Sequence, residues 1–190
     1  SINWKRIDSI YSFLCYNHAR WINMKVIIAS DIHGVTEYAK QLEKFIEQKS
    51  PDKIILLGDL LNNYDPLPVS NILNRFAGIT ECVRGNCDSS MTDQLLIFST
   101  TSTHKEIELD GIRYIITHGH LLPYLHDQIK NTYHITGHTH IYQLDGLNIN
   151  PGSVGIPRKN KEHTCLYYED KTFFLIDLDT FNVIDKKIIQ

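Results

Sequence analysis

Two short runs of branched aliphatic residues, Val26-Ile27-Ile28-Ala29 and Ile54-Ile55-Leu56-Leu57, constrain this chain more than any other feature. Each is apolar at successive positions, so each reads as a strand covered on both faces, as in a parallel sheet. Between them, Val35 to Lys49 has the spacing of an amphipathic helix, stopped by Ser50-Pro51-Asp52. The second strand is read as Lys53 to Leu57, followed by a helix from Pro66 to Phe76 and a third strand from Ile79 to Arg84. This βαβαβ start predicts a parallel sheet with helices against it.

The second half changes character. Strands are predicted at His104 to Leu109, Ile112 to Thr117, Ile135, Ile141 to Leu144, Leu147 to Asn150, Thr164 to Tyr168, Thr172 to Ile176 and Val183 to Ile189, with a short helix near Leu121 to Lys130. Asp110-Gly111 and Glu169-Asp170-Lys171 are hairpin turns. Parallel strands first and antiparallel strands later predict an α/β fold, a layered α/β/β/α sandwich of two mixed β-sheets flanked by helices. Residues 1–23 read as an N-terminal extension left by an upstream start or by cloning. The helix-like spacing of Ile7, Ile10 and Leu14 keeps a docked helix or a subunit contact as the alternative. Residues 24–190 form the domain.

Composition narrows the function classes. With 190 residues, 42% hydrophobic and 22% charged, the chain is expected to be one globular domain. Nineteen basic against 22 acidic residues give a net charge of -3, so nucleic acid is not an expected partner. No apolar run reaches the roughly 18 residues of a membrane span, and no export signal is expected. Four cysteines without a CxxC pair suit a reducing compartment, so a cytoplasmic location is expected. Neither G-x-S-x-G nor a G-x-x-x-x-G-K-[ST] phosphate loop occurs.

Five segments are rich in metal-binding side chains: Ser30-Asp31-Ile32-His33-Gly34, Gly58-Asp59, Gly85-Asn86-Cys87-Asp88, Thr117-His118-Gly119-His120 and Gly137-His138-Thr139-His140. Each lies where a predicted strand runs out, the place where α/β sheets gather their ligands. On extended backbone, Asp31 and His33 would share one face about 6.6 Å apart, as would His138 and His140. Four histidines (His33, His118, His138, His140), two carboxylates (Asp31, Asp59) and Asn86 exceed one tetrahedral site and suit two ions sharing a carboxylate, with Asp59 as the bridge. Mixed carboxylate, imidazole and amide donors favour two divalent ions, Mn2+ first, with Fe2+ or Zn2+ as options. Two such ions with two aspartates leave about +2, which calls for an anionic, phosphorus-centred substrate.

The order D-x-H, G-D, G-N-x-D, H-G-H, G-H-x-H resembles the calcineurin-like metallophosphoesterase superfamily from Met24 onward. Asp59-Leu-Leu-Asn62, Gly85-Asn-Cys-Asp88 and Asn150-Pro-Gly-Ser153-Val-Gly-Ile-Pro157 resemble its small bacterial YfcE-type phosphodiesterases. The resemblance implies the metallo-dependent phosphatase fold. It implies one ion on Asp31, His33, Asp59 and His140 and another on Asp59, Asn86, His118 and His138. It also implies hydrolysis of a small-molecule phosphoester by a hydroxide bridging the two ions, without a covalent intermediate. Asn86 would be both ligand and donor to a phosphate oxygen. His120 would face the substrate, or alternatively hold a water. Asn62 and Cys87 are expected on the substrate side, with Arg84, Ser153 and Arg158 as weaker candidates. His18, His104, His126, His134 and His163 lack motif context and read as structural or exposed.

Cys87 departs from the pattern. Many relatives have histidine there, able to protonate a leaving alkoxide, whereas a thiol with a reference pKa of about 8.5 is a poorer donor. Cys87 therefore reads as a space-filling side chain rather than a nucleophile, and diesters or activated leaving groups are expected to be preferred. The alternative function is a non-catalytic protein-binding scaffold on the same fold. The oligomeric state is open, a homo-oligomer included.

Overall fold

Parallel pairing of the two aliphatic runs is the centre of the structure, a computed structural model that describes residues 19–125, 130–159 and 161–190. Its elements, in chain order, are β1 (Ala19–Trp21), β2 (Val26–Ala29), α1 (Thr36–Lys49), β3 (Lys53–Leu56), α2 (Pro66–Asn74), β4 (Thr80–Cys82), α3 (Ser90–Leu95), β5 (His104–Leu109) and β6 (Ile112–Thr117), followed by β7 (Tyr133–Ile135), β8 (Tyr142–Gln143), β9 (Asn148–Pro151), β10 (Thr164–Glu169), β11 (Thr172–Asp177) and β12 (Val183–Ile188). One six-stranded sheet runs β12-β11-β10-β2-β3-β4 and the other β1-β5-β6-β7-β9-β8. Strands β2, β3 and β4 are mutually parallel, and β10 and β11 extend that sheet antiparallel. In the second sheet, β5 and β6 form an antiparallel hairpin while β7 and β9 continue in parallel. Both sheets are therefore mixed, as the sequence predicts.

Alternation along β2 explains the layering. Ile27 and Ala29 join Ala39, Leu42, Phe45 and Ile46 of α1 and Val69 of α2 in one apolar cluster. Val26 and Ile28 face the other way, into a second cluster with Ile107, Tyr114, Ile116, Ile135 and Ile149 of the second sheet. Burying each such aliphatic side chain is worth about 1.5–3 kcal/mol, so β2 is held from both faces. Helix α1 ends at Ser50, which adopts the left-handed conformation (φ 46°) while its N–H donates to Ile46 O at 2.8 Å. Both hairpin turns form with positive φ at their two central residues, Asp110 (49°) and Gly111 (82°), Asp170 (48°) and Lys171 (55°).

Some boundaries differ from the sequence reading. Helix α2 stops at Asn74, and the chain makes a 3-10 turn at Ala77–Ile79 before a third strand of only three residues. Val83 and Arg84 have already left the strand as the site loop begins. The helix expected at 121–130 is a 3-10 turn at Leu122–Leu125, with 126–129 outside the described residues. Strand β1 lies inside the segment read as an extension. It pairs parallel with β5, its Trp21 is buried, and Trp21 O accepts from Asp110 N at 2.9 Å. Residues 1–18, with the spacing of Ile7, Ile10 and Leu14, lie outside the described residues. Among the described residues, no helix is long and apolar enough to cross a membrane.

Candidate metal centre

The five motifs meet at the seam between the two sheets. The loops after β2, β3 and β4 bring Asp31, His33, Asp59 and Asn86, and those after β6 and β7 bring His118, His138 and His140. Asp31, His33, Asp59, His118 and His140 are buried, whereas Asn86 and Cys87 are exposed at the rim. Ligand atoms of Asp31, His33 and His140 lie within 4.8 Å of one another, as do those of Asp31, Asp59 and His118, and those of His33, Asp59 and Cys87.

Convergence does not come from strand alternation. Asp31 (φ 56°), His33 (52°), Asp59 (55°), His138 (68°) and His140 (61°) are all left-handed, so both i, i+2 pairs lie on turns rather than on extended backbone, and the Asp31 and His33 side chains meet at 3.7 Å. This corrects the expectation of paired residues on one strand face. Left-handed backbone at a non-glycine residue is strained, on the order of 1–3 kcal/mol each, and persists because the surroundings impose it. Here His33 N donates to Asp59 O at 2.9 Å, Asp31 N to Gly58 O at 3.1 Å and His138 N to Asp31 Oδ2 at 2.9 Å.

Proton placement shows what the site is built to hold. His118 Nδ1–H donates to Leu57 O at 2.6 Å and His140 Nδ1–H to Ile156 O at 2.5 Å, and a carbonyl can only accept. In neutral rings, both Nε2 atoms are then bare acceptors. His118 Nε2 faces Asn86 Oδ1 at 3.0 Å and Asp59 Oδ2 at 3.3 Å, and His140 Nε2 faces His33 Nε2 at 3.1 Å and Asp31 Oδ1 at 3.2 Å. Asp31 Oδ1 and Asn62 Oδ1 are buried without a hydrogen-bond partner. Asn62 Nδ2 approaches His33 Nδ1 at 2.9 Å. Turning that amide by 180° gives Oδ1 the His33 Nδ1–H as donor and makes His33 Nε2 a bare acceptor too. Acceptors facing acceptors at about 3 Å repel unless a proton or a cation lies between them, and oxygen and imidazole donors suit divalent cations. The residues present fit the metal ions.

Electrostatics agree with that geometry. Burial opposes the charge on Asp31, but the imidazoles of His140 and His33 beside it and the charge of His118 hold its carboxyl far below the usual range. Asp59 is likewise lowered despite burial, chiefly through His118. Both stay ionised in the buried site.

Not every candidate joins the tight groups. The His138 ring stands 5.0 Å from that of His118, outside the three close clusters among the described residues. His120 lies 5.5 Å from His118, its Nδ1 buried without a partner, and burial with the charges of His118 and His138 lowers its pKa. Partial desolvation and the Asp59 and Asp88 carboxylates push the Cys87 thiol up to about 11, which leaves it protonated at neutral pH. Arg84 is bound to Asp93 at 2.7 Å and to Asp88 O at 3.2 Å. Ser153 Oγ donates to Asp31 O at 2.8 Å, and Arg158 is exposed. Of the motif-free histidines, His163 stacks on Tyr38 and contacts Val154 O through Nδ1, while His18 and His126 lie outside the described residues.

Sequence reasoning missed Asp88. Its Oδ2 accepts from Asp59 N at 2.9 Å and Gly85 N at 2.8 Å, and its Oδ1 from Leu60 N at 3.1 Å, so one buried carboxylate fastens the Asp59 loop to the Asn86 loop. The signal was the aspartate closing the Gly85-Asn86-Cys87-Asp88 run, four residues past the predicted third strand, with no histidine beside it to orient. Asp88→Asn keeps one acceptor oxygen, so at least one of these N–H groups loses its acceptor. The variant is expected to lose about 1–3 kcal/mol in a denaturant melt and to bind Mn2+ more weakly by calorimetry. Unchanged stability and Mn2+ affinity would show that the clamp is dispensable.

Comparison with known proteins identifies the lineage. A family model described as the calcineurin-like phosphoesterase superfamily domain matches residues 24–172. The chain belongs to that superfamily. Over 185 residues it is 32% identical to the protein named Phosphodiesterase YfcE of Escherichia coli K12, covering 88% of this chain and 99% of that protein. The solved structure of the E. coli phosphoesterase YfcE superposes with a TM-score of 0.78, covering 88% of this chain and all of the other at 32% identity. A predicted phosphoesterase from Streptococcus pneumoniae TIGR4 shares the superfamily fold at 22% identity, TM-score 0.57, over 86% of this chain and 95% of that one.

Proposed function

We propose that residues 24–190 form a metal-dependent phosphodiesterase holding two divalent ions, manganese in preference to iron or zinc, on Asp31, His33, Asp59, Asn86, His118, His138 and His140. The observation that carries this reading is the set of proton-free acceptors, His118 Nε2 with Asn86 Oδ1 and His140 Nε2 with Asp31 Oδ1, turned toward one another in a member of a phosphoesterase superfamily. When bound, such ions lower the pKa of a coordinated water from about 15.7 to about 7 and neutralise charge on the phosphoryl group.

The chain's own groups do the rest. Asp59 Oδ2 lies 3.3 Å from His118 Nε2 and 3.9 Å from His33 Nε2, so one carboxylate reaches both halves of the site. Leu57 O and Ile156 O keep the imidazole protons on Nδ1. Asn86 and His120 lie at the open rim, where an amide and an imidazole can orient phosphate oxygens. Cys87 occupies the place from which a leaving group would be protonated. A thiol with a pKa of about 11 is a poor acid there, and Asp88 is engaged with three amides. Leaving groups must then depart largely unprotonated, which favours activated esters. The complete donor set argues against a protein-binding scaffold. A small-molecule phosphoester substrate and a cytoplasmic setting complete the reading, the latter supported by the free thiols of Cys82, Cys87 and Cys165.

Steady-state kinetics test it. Mn2+-loaded protein is expected to hydrolyse an aryl phosphodiester with a larger kcat/KM than an alkyl phosphomonoester. Chelation should abolish turnover and added Mn2+ should restore it. Turnover that survives verified metal removal, or a preference for the alkyl monoester, would overturn this reading.

A further inference from the structure

A cleft of about 480 Å3 lined by Gly34, Val35, Thr36, Tyr64 and Asp65 opens at the residue directly after His33. Its wall is a tyrosine left 62% exposed, on a loop that is otherwise pinned to the metal centre. Gly34 N donates to Leu60 O at 2.9 Å, and Asn62 touches His33. A Cβ on Gly34, which has φ +74°, would come within 3.1 Å of the Leu61 and Asn62 carbonyl oxygens and 3.3 Å of Tyr64 N. On the far side of Tyr64, Asp65 Oδ1 accepts from Leu67 N at 3.1 Å and caps α2. The ring is thus mounted on fixed backbone two residues from a group that contacts a candidate ligand, and Tyr64 shares the lining of the slot with Val35 and Thr36. A rigid aromatic face beside an aliphatic one suits a flat, weakly polar guest, because stacking is sequence-tolerant and costs a two-torsion side chain little entropy.

We infer that this cleft receives a planar aromatic ester group of the substrate, a phenol or a nucleoside base, with Tyr64 as the stacking wall that sets specificity. The inference rests on the diesterase reading and adds the substrate class. A diester whose phosphate sits at the metal centre has a second substituent to place, and this cleft begins at Gly34, next to His33 in the chain. It would not enclose a small alkyl group well.

Binding measurements test this without turnover. Two ligand pairs are titrated calorimetrically into Mn2+-loaded protein: phenylphosphonate against methylphosphonate, and adenosine 5′-monophosphate against ribose 5-phosphate. At least one aromatic member is expected to bind about tenfold more tightly than its partner. Tyr64→Ala should shrink that gap to about twofold or less, while Tyr64→Phe and Tyr64→Trp keep it. A gap confined to the first pair assigns a phenolic ester, and one confined to the second assigns a nucleoside. Equal binding within both pairs, or a gap that survives Tyr64→Ala, would overturn the inference. Failure of the diesterase reading shows separately, as absence of aryl diester hydrolysis by the wild-type holoprotein.

Discussion

Asp59→Asn should lower kcat/KM for an aryl phosphodiester by about 10^3-fold, close to 4 kcal/mol of transition-state stabilisation at 1.36 kcal/mol per decade. The substitution keeps shape and one acceptor, so Asn Oδ1 can still take the Cys87 N–H that Asp59 Oδ1 accepts at 2.8 Å. At the other position, however, an NH2 group replaces Oδ2, which lies 3.3 Å from His118 Nε2. An acceptor facing an acceptor becomes a donor facing an acceptor, and a hydrogen bond forms where a cation would sit. The melting temperature of the metal-free variant should therefore match or exceed that of the parent, while Mn2+ stoichiometry falls. Melting curves and metal analysis separate this outcome from simple misfolding. Parent-like activity at full metal occupancy would remove Asp59 from its bridging role.

Gly85→Ala should be nearly as damaging by a different route. A Cβ at Gly85 would lie 2.1 Å from Asp59 Oδ1 and 2.4 Å from Asp59 N, and one at Gly58 would lie 2.3 Å from Gly85 N. The closest atom is a carboxylate oxygen already held by Cys87 N at 2.8 Å, and the next is backbone, so neither can swing aside cheaply. Relief requires moving the Asp59 loop away from the Asn86 loop, against the Asp88 hydrogen bonds. We expect about 3 kcal/mol of destabilisation in a denaturant melt and more than about 100-fold loss of kcat/KM, equivalent to about 2.7 kcal/mol, even under conditions where the protein stays folded. Gly78→Ala provides the control, because nothing lies within 4 Å of its Cβ. It should change stability by less than about 1 kcal/mol. Equal behaviour of the two variants would show that the loops tolerate separation.

The parts of the fold legible in the sequence were those set by burial and by two-residue turns. β2 and β3 could be read because a strand buried on both faces has to be aliphatic throughout, and Asp110-Gly111 because few residue pairs adopt two positive φ values at low cost. Helix α3 was not legible. It is six residues long, lacks an apolar stripe, and owes its start to a Ser89 and Thr92 capping box in a stretch to which the sequence reading assigns no element. Edge strand β1 was equally opaque, since three residues pairing with a strand some 90 positions away leave no periodic trace. At the site, the ligand types were legible because aspartate and histidine beside a core need a partner. Their arrangement was not, because spacing in sequence cannot distinguish a strand end from a left-handed turn. Nor could any side chain announce that the carbonyls of Leu57 and Ile156 fix the imidazole tautomers, and Asp88 serves amide groups that every residue carries.

The site straddles a boundary, with Asp31, His33, Asp59 and Asn86 on loops of one sheet and His118, His138 and His140 on loops of the other. Across that boundary run His118 Nδ1–H to Leu57 O, Val154 N–H to Ser30 O and Gly155 N–H to Asp31 O. A slippage of one layer past its neighbour by a single ångström would leave every strand hydrogen bond in place and still pull the ligands out of register. Catalysis is therefore a finer gauge of how the layers mesh than any spectrum of secondary structure, and partial loosening of the interior should silence the enzyme long before it unravels.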